Sequence, residues 1–148
     1  MDDAFELCDK TVVDIARKTK GKLQLDALTP TEATVILVYQ VCGLIGIGGL
    51  KGLLCDEFDG DPGYVRTISA FQEIGSTTVA SILNEALDLW NSVDHSRLED
   101  PEYLIDDEYL ADEHPEIFRR LSILEDQFDN LESDTLTKLG DYIRNSSK

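Results

Sequence analysis

Four glycines crowd the run Gly46-Ile47-Gly48-Gly49-Leu50-Lys51-Gly52, a composition that elsewhere cradles phosphate. Spacing decides against it. The dinucleotide fingerprint would need glycine at 51, where lysine stands, and a strand before the turn, where the pattern is helical. A P-loop needs Gly-Lys-Ser/Thr, but Lys51 follows leucine and precedes glycine. The run is read as a close-packed turn between helices. Asp56-Glu57-Phe58-Asp59-Gly60-Asp61 resembles a calcium loop only superficially. With Gly60 at the sixth position, Cys55 would be first and Arg66 twelfth, where carboxylates are required.

A catalytic thiol would draw on Cys8, Cys42 or Cys55 with His95 or His114, and no recognisable motif surrounds either histidine. A fold can bring distant residues together, so a dyad stays open, with buried core thiols as the simpler reading. Three cysteines without Cys-x-x-Cys spacing suit reduced thiols of a cytosolic protein, not a disulfide framework or zinc site. No catalytic residue, cofactor or metal ligand is assigned, and the chain is expected not to be an enzyme.

Acids are the residues that stand out. Thirty Asp plus Glu oppose thirteen Lys plus Arg, a formal net charge of −17 over 148 residues. Residues 1–23 balance five acids against five bases, so the whole excess lies in 24–148. From Glu99 to Glu116 there are nine acids and no Lys or Arg, among them Asp100, Glu102, Asp106, Asp107, Glu108, Asp112, Glu113 and Glu116. Further on, Glu125, Asp129 and Glu132 share one helical face without an interleaved base. Like charges at that spacing destabilise a helix. The face is either a solvated surface of an acidic protein or a binding surface. Glu116 is also spaced to pair with Arg119 or Arg120.

The elements that must carry these acids are helical. Phe5, Cys8, Val12, Ile15 and Ala16 repeat with helical spacing up to Gly21. Thr29-Pro30-Thr31-Glu32 predicts a capping box with proline at the first helical position. The following helix, to about Leu44, is apolar on most of its circumference and is the expected central helix. The glycines after Leu44 predict a tight turn or a broken helix, with a short apolar helix through Leu53 and Leu54. Asp61-Pro62 then predicts a capped start. Val65, Ile68, Phe71 and Ile74 mark a helix closed by Gly75, and Ser76 is expected to cap its successor, with an apolar stripe from Val79 to Trp90. Residues 92–115 form a less regular acidic connection, with one short helix after Asp100-Pro101. Ile117, Leu121, Leu124, Phe128 and Leu131 form a heptad-like seam, and Leu136, Leu139 and Ile143 line a last helix. No strand pattern is present. The expectation is an all-α fold, a single compact helical domain (1–148) of six to eight helices.

Composition narrows function further. A hydrophobic fraction of 42% suits a globular protein. The negative charge repels nucleic acid and anionic membranes and favours a basic partner. The N-terminus lacks the features of a signal peptide, and Val35–Leu50 is too broken for a membrane span, so a cytoplasmic protein is expected.

Residues 29–90 and 124–143 resemble the small helical domain family that includes the DMP-type DNA-mimic protein, most of whose members have no assigned function. The resemblance runs through several features in order. Thr-Pro-Thr-Glu opens a helix leading to Gly48-Gly49-Leu50, where the family has Asn-Gly-Gly-Phe. Asp59-Gly60-Asp61 matches its polar turn, and Ile74-Gly75-Ser76 its Ile-Gly-Ala break. The spacing of Ala80, Ile82-Leu83 and Ala86 follows. Leu124-Glu125-Asp126-Gln127-Phe128 and Tyr142-Ile143 close the match. Ile47 and Leu50 depart from the family's Asn and Phe. The resemblance implies an all-helical homodimer whose carboxylates stand in for phosphates. Duplex DNA carries about one charge per 1.7 Å of axis, and a helix rises about 1.5 Å per residue, so two acidic faces give a comparable line of charge. The expected partner is a basic DNA-binding protein such as a transcriptional regulator. The alternative is an immunity or antitoxin-like inhibitor of a basic nuclease toxin; a plain acidic domain without mimicry is the remaining reading. The acids named above, with Glu125, Asp129 and Glu132 secondary, are the candidate contact residues, chosen by charge density.

Overall fold

The computed structural model describes residues 3–20, 24–54, 61–93 and 113–146. Among them are five α-helices: α1 (Asp3–Lys18), α2 (Pro30–Leu54), α3 (Val65–Glu73), α4 (Thr77–Asn91) and α5 (Pro115–Ser146). Single 3-10 turns at Leu25–Ala27 and Pro62–Tyr64 precede α2 and α3. The fold is all-helical, as expected. The helix count among the described residues falls short of six to eight, chiefly because the seam from Ile117 and the stripe to Ile143 belong to one helix of 32 residues. Glu132-Ser133-Asp134-Thr135 between them contains neither glycine nor proline, so nothing interrupts the backbone ladder. The short helix expected after Asp100-Pro101 lies outside the described residues.

Helix α2 is the central element expected from its apolar circumference. Val35, Ile36, Leu37, Val38 and Val41 are buried, and the helix packs against α1, α3, α4 and α5. Helix α5 touches α1, α2 and α4, burying Leu121, Leu124, Phe128 and Leu139. The seam is thus core within the chain. Gly140 lets α5 approach α1 closely, since a Cβ there would lie 3.2 Å from the Ala4 Cβ. Cys8 and Cys42 are buried, and the Cys8 thiol donates to the Leu136 carbonyl at 3.7 Å.

Local signals explain most of the ends. The capping box forms: the Glu32 N–H donates to Thr29 Oγ1 at 3.2 Å, and the Thr29 N–H donates to Glu32 Oε1 at 3.0 Å. Gly75 closes α3 at φ +87°, with Ser76 N–H donating to the Phe71 carbonyl and Gly75 N–H to that of Gln72, a Schellman motif. Two expectations are corrected. Pro62 opens a 3-10 turn, not α3; Asp61 caps α3 from farther upstream, its buried carboxylate accepting from Arg66 N–H (2.6 Å), Thr67 N–H (2.9 Å) and Thr67 Oγ1 (2.6 Å). Tyr64, left-handed at φ +59°, donates its hydroxyl to the Leu53 carbonyl at 2.5 Å, tying the end of α2 to the start of α3. Ser76 holds the N-cap position of α4, yet its hydroxyl makes no capping bond. The every-third-residue pattern of α3 also drifts. Such a row turns by about 60° per step, which leaves Val65 66% exposed while Phe71 and Ile74 are buried.

Candidate protein-binding surface

Helix α2 breaks at Gly49, whose φ of +75° and ψ of 178° belong to a region open essentially only to glycine. The break frees the N–H groups that begin the last turn of α2. Glu125 of α5 fills that position: its Oε1 accepts the Leu50 N–H at 2.6 Å. A Cβ on Gly49 would stand 2.5 Å from the same oxygen. The glycine run is therefore a helix break built around a carboxylate, and the acid row of α5 supplies that carboxylate. These two features, unrelated in the sequence, form one contact.

Two turns farther along α5, Glu132 is half-buried beside the preceding part of α2. It lines a groove of about 360 Å³ with Phe5, Tyr39, Cys42, Gly46 and Leu136. Phe5 is 46% exposed at this groove. Tyr39 donates its hydroxyl to Asp9 Oδ1 at 2.8 Å; burial first, then the Asp9 carboxylate, push its phenol up to about 12. Burial likewise pushes the Cys42 thiol up to about 12, with Glu132 and Cys8 adding to the shift. Cys42 is thus a protonated, unreactive thiol at neutral pH. Asp129, between the two glutamates in sequence, is exposed.

Glu113 and Glu116 are exposed at the start of α5, where they line a small depression with His114, Pro115 and Ile117. Glu116 in the first turn is also favoured by the helix dipole. Arg120 does not turn back to Glu116. It makes a two-pronged pair with Glu85 of α4, through Nε to Oε2 and through Nη2 to Oε1 at 2.9 Å. The Arg120 hydrogen bond holds the Glu85 carboxyl below its usual range. The other six candidates, Asp100, Glu102, Asp106, Asp107, Glu108 and Asp112, lie outside the described residues. Of the five described, then, Glu125 has an internal partner, Glu132 faces a groove, and Glu113, Glu116 and Asp129 face solvent.

A second cleft, about 500 Å³, opens between the start of α2, α3 and the end of α5, with Leu28, Leu37, Glu73 and Tyr142 among its walls. Arg66 Nη1 and Asp26 Oδ1 pair at 3.2 Å on its margin. Among the described residues no group of His, Cys, Asp or Glu is arranged to hold a metal ion, and no helix is long and apolar enough to cross a membrane. Sequence reasoning missed the groove because Phe5 reads as an ordinary member of a helical stripe and nothing singles out Tyr39; the available signal was Gly43 and Gly46 on α2, where a Cβ would meet nothing within 4 Å.

A family model described as DMP19-like protein matches residues 26–146. Comparison with curated proteins and with solved structures gives no match.

Proposed function

We propose, from the fact that this chain belongs to the DMP19-like protein family, that it is a non-catalytic DNA mimic. Its acidic surface occupies the basic DNA-binding face of a partner such as a transcriptional regulator, and it works in the cytoplasm as a homodimer. The observation that carries this reading is the net charge of −17 in a chain of that family. Two further features support it. Glu116 and Asp129 are exposed on α5, and Glu113 is exposed just before it. The long rigid helix fixes their spacing, as a phosphate substitute must. Neutralising them removes charge without opening the core.

The test is capture of partners from a lysate of the source organism at low and high salt, with duplex DNA as competitor. A DNA-binding protein held at low salt and displaced by DNA is the expected result, because counterion release makes such contacts salt-sensitive. Replacing Asp106, Asp107, Glu108, Asp112, Glu113 and Glu116 by their amides should abolish the competition; unchanged competition would reject this residue assignment. Retention of a basic partner that DNA does not displace would reject mimicry. Light scattering during size exclusion checks the homodimer.

A further inference from the structure

We propose that the groove between α1, α2 and α5 receives one long basic side chain, an arginine or lysine of the protein partner, with its charge on Glu132 and its stem beside Phe5 and Tyr39. The inference deepens the reading above and rests on it, since it supposes a basic protein partner. Glu132 is a half-buried carboxylate in a mainly apolar setting. A charge so placed costs solvation free energy unless a counter-charge meets it. Among the described residues no hydrogen bond or ion pair engages Glu132, whereas Glu32, Glu85, Asp26, Asp134 and Asp141 all have basic partners.

The walls suit a basic side chain in particular. An arginine or lysine presents an aliphatic stem below a charged head, and aromatic rings attract the head. Phe5 stands 46% exposed at the groove, and Tyr39 is held there by its bond to Asp9, a second carboxylate. Room exists on the α2 side, because a Cβ built on Gly43 or Gly46 meets nothing within 4 Å. Charge complementarity selects this occupant over an anionic or neutral one in a protein of net charge −17.

The test uses the full ¹⁵N-labelled chain and two probes, Nα-acetylarginine amide and its uncharged isostere Nα-acetylcitrulline amide. Arginine should give saturable amide shifts centred on Gly43, Gly46, Glu132 and Leu136, with a roughly millimolar Kd, and citrulline should give none. Glu132→Gln should weaken the arginine response at least about tenfold. Gly43→Leu should abolish it by filling the groove while the thermal midpoint holds or rises, which separates blocked binding from failed folding. Absence of saturable shifts, an equal citrulline response, or an arginine response that survives Glu132→Gln would overturn the proposal. So would a concentration-dependent self-association that protects the same amides, since a second copy would then be the occupant. If a basic partner is still captured by Gly43→Leu, the groove fails and the function stands. If arginine binds the groove but no basic protein is retained from lysate, the function fails and the site stands.

Discussion

Glu125 and Leu50 lie 75 residues apart in sequence, yet the Glu125 carboxylate accepts the Leu50 N–H at 2.6 Å across the break in α2. A charge-assisted bond to a freed helical N–H stabilises more than a neutral one. It also explains the glycine at 49, which must leave space for the incoming oxygen and adopt a backbone conformation that other residues avoid.

Gly49→Ala should therefore destabilise the protein by about 2–4 kcal/mol. Glu125→Ala should cost about 1–3 kcal/mol, because the Leu50 N–H loses its acceptor, whereas Glu125→Gln keeps an acceptor oxygen and should cost less. Denaturant unfolding of the three variants checks the order.

Asp61 is fully buried and accepts three hydrogen bonds at the start of α3. Asp61→Ala should cost about 2–4 kcal/mol, above the usual loss of a helix cap. Amide exchange should show the opening concentrated in the first turn of α3. A loss below about 1 kcal/mol would mean that the turn is held by Tyr64 instead.

Ser76 reverses the usual rule. Its hydroxyl is buried, and among the described residues no hydrogen-bond partner reaches it. Replacing a capping serine by alanine ordinarily costs about 0.5–2 kcal/mol. Here Ser76→Ala should be neutral or stabilising by up to about 1 kcal/mol, because it removes an unsatisfied buried group. Calorimetry on the single variant decides.

The bond from Lys18, followed by those from Thr29, holds the Glu32 carboxyl below its ordinary value of 4.5. A carboxyl depressed in the folded state adds stability that is present above the unfolded value and is lost as pH falls through the folded one. Wild type should thus exceed Lys18→Met in stability at pH 6, and the gap should close as pH drops below 4.5. A gap independent of pH would show that Lys18 acts through its aliphatic stem.

The helical class, the buried α2, the capping box at Thr29 and Glu32, and the stop at Gly75 were all legible in the residues. Each of these signals acts within about one helical turn, so backbone hydrogen bonding and burial of an apolar face are enough to specify it. The continuity of α5 is equally local: the apolar seam thins over Glu132-Ser133-Asp134 and suggests two helices, but only a breaker marks a real end, and none stands there. Tertiary structure alone decided which acids are free. Glu125 and Asp129 are four residues apart on one acidic helix, and composition cannot distinguish them. One reaches the broken ladder of α2 and the other reaches solvent, a difference fixed by how α5 lies against a break that only Gly49 can make. Arg120 likewise pairs with Glu85 and not Glu116 because α4 packs against α5 and brings both oxygens of that carboxylate within reach of the guanidinium.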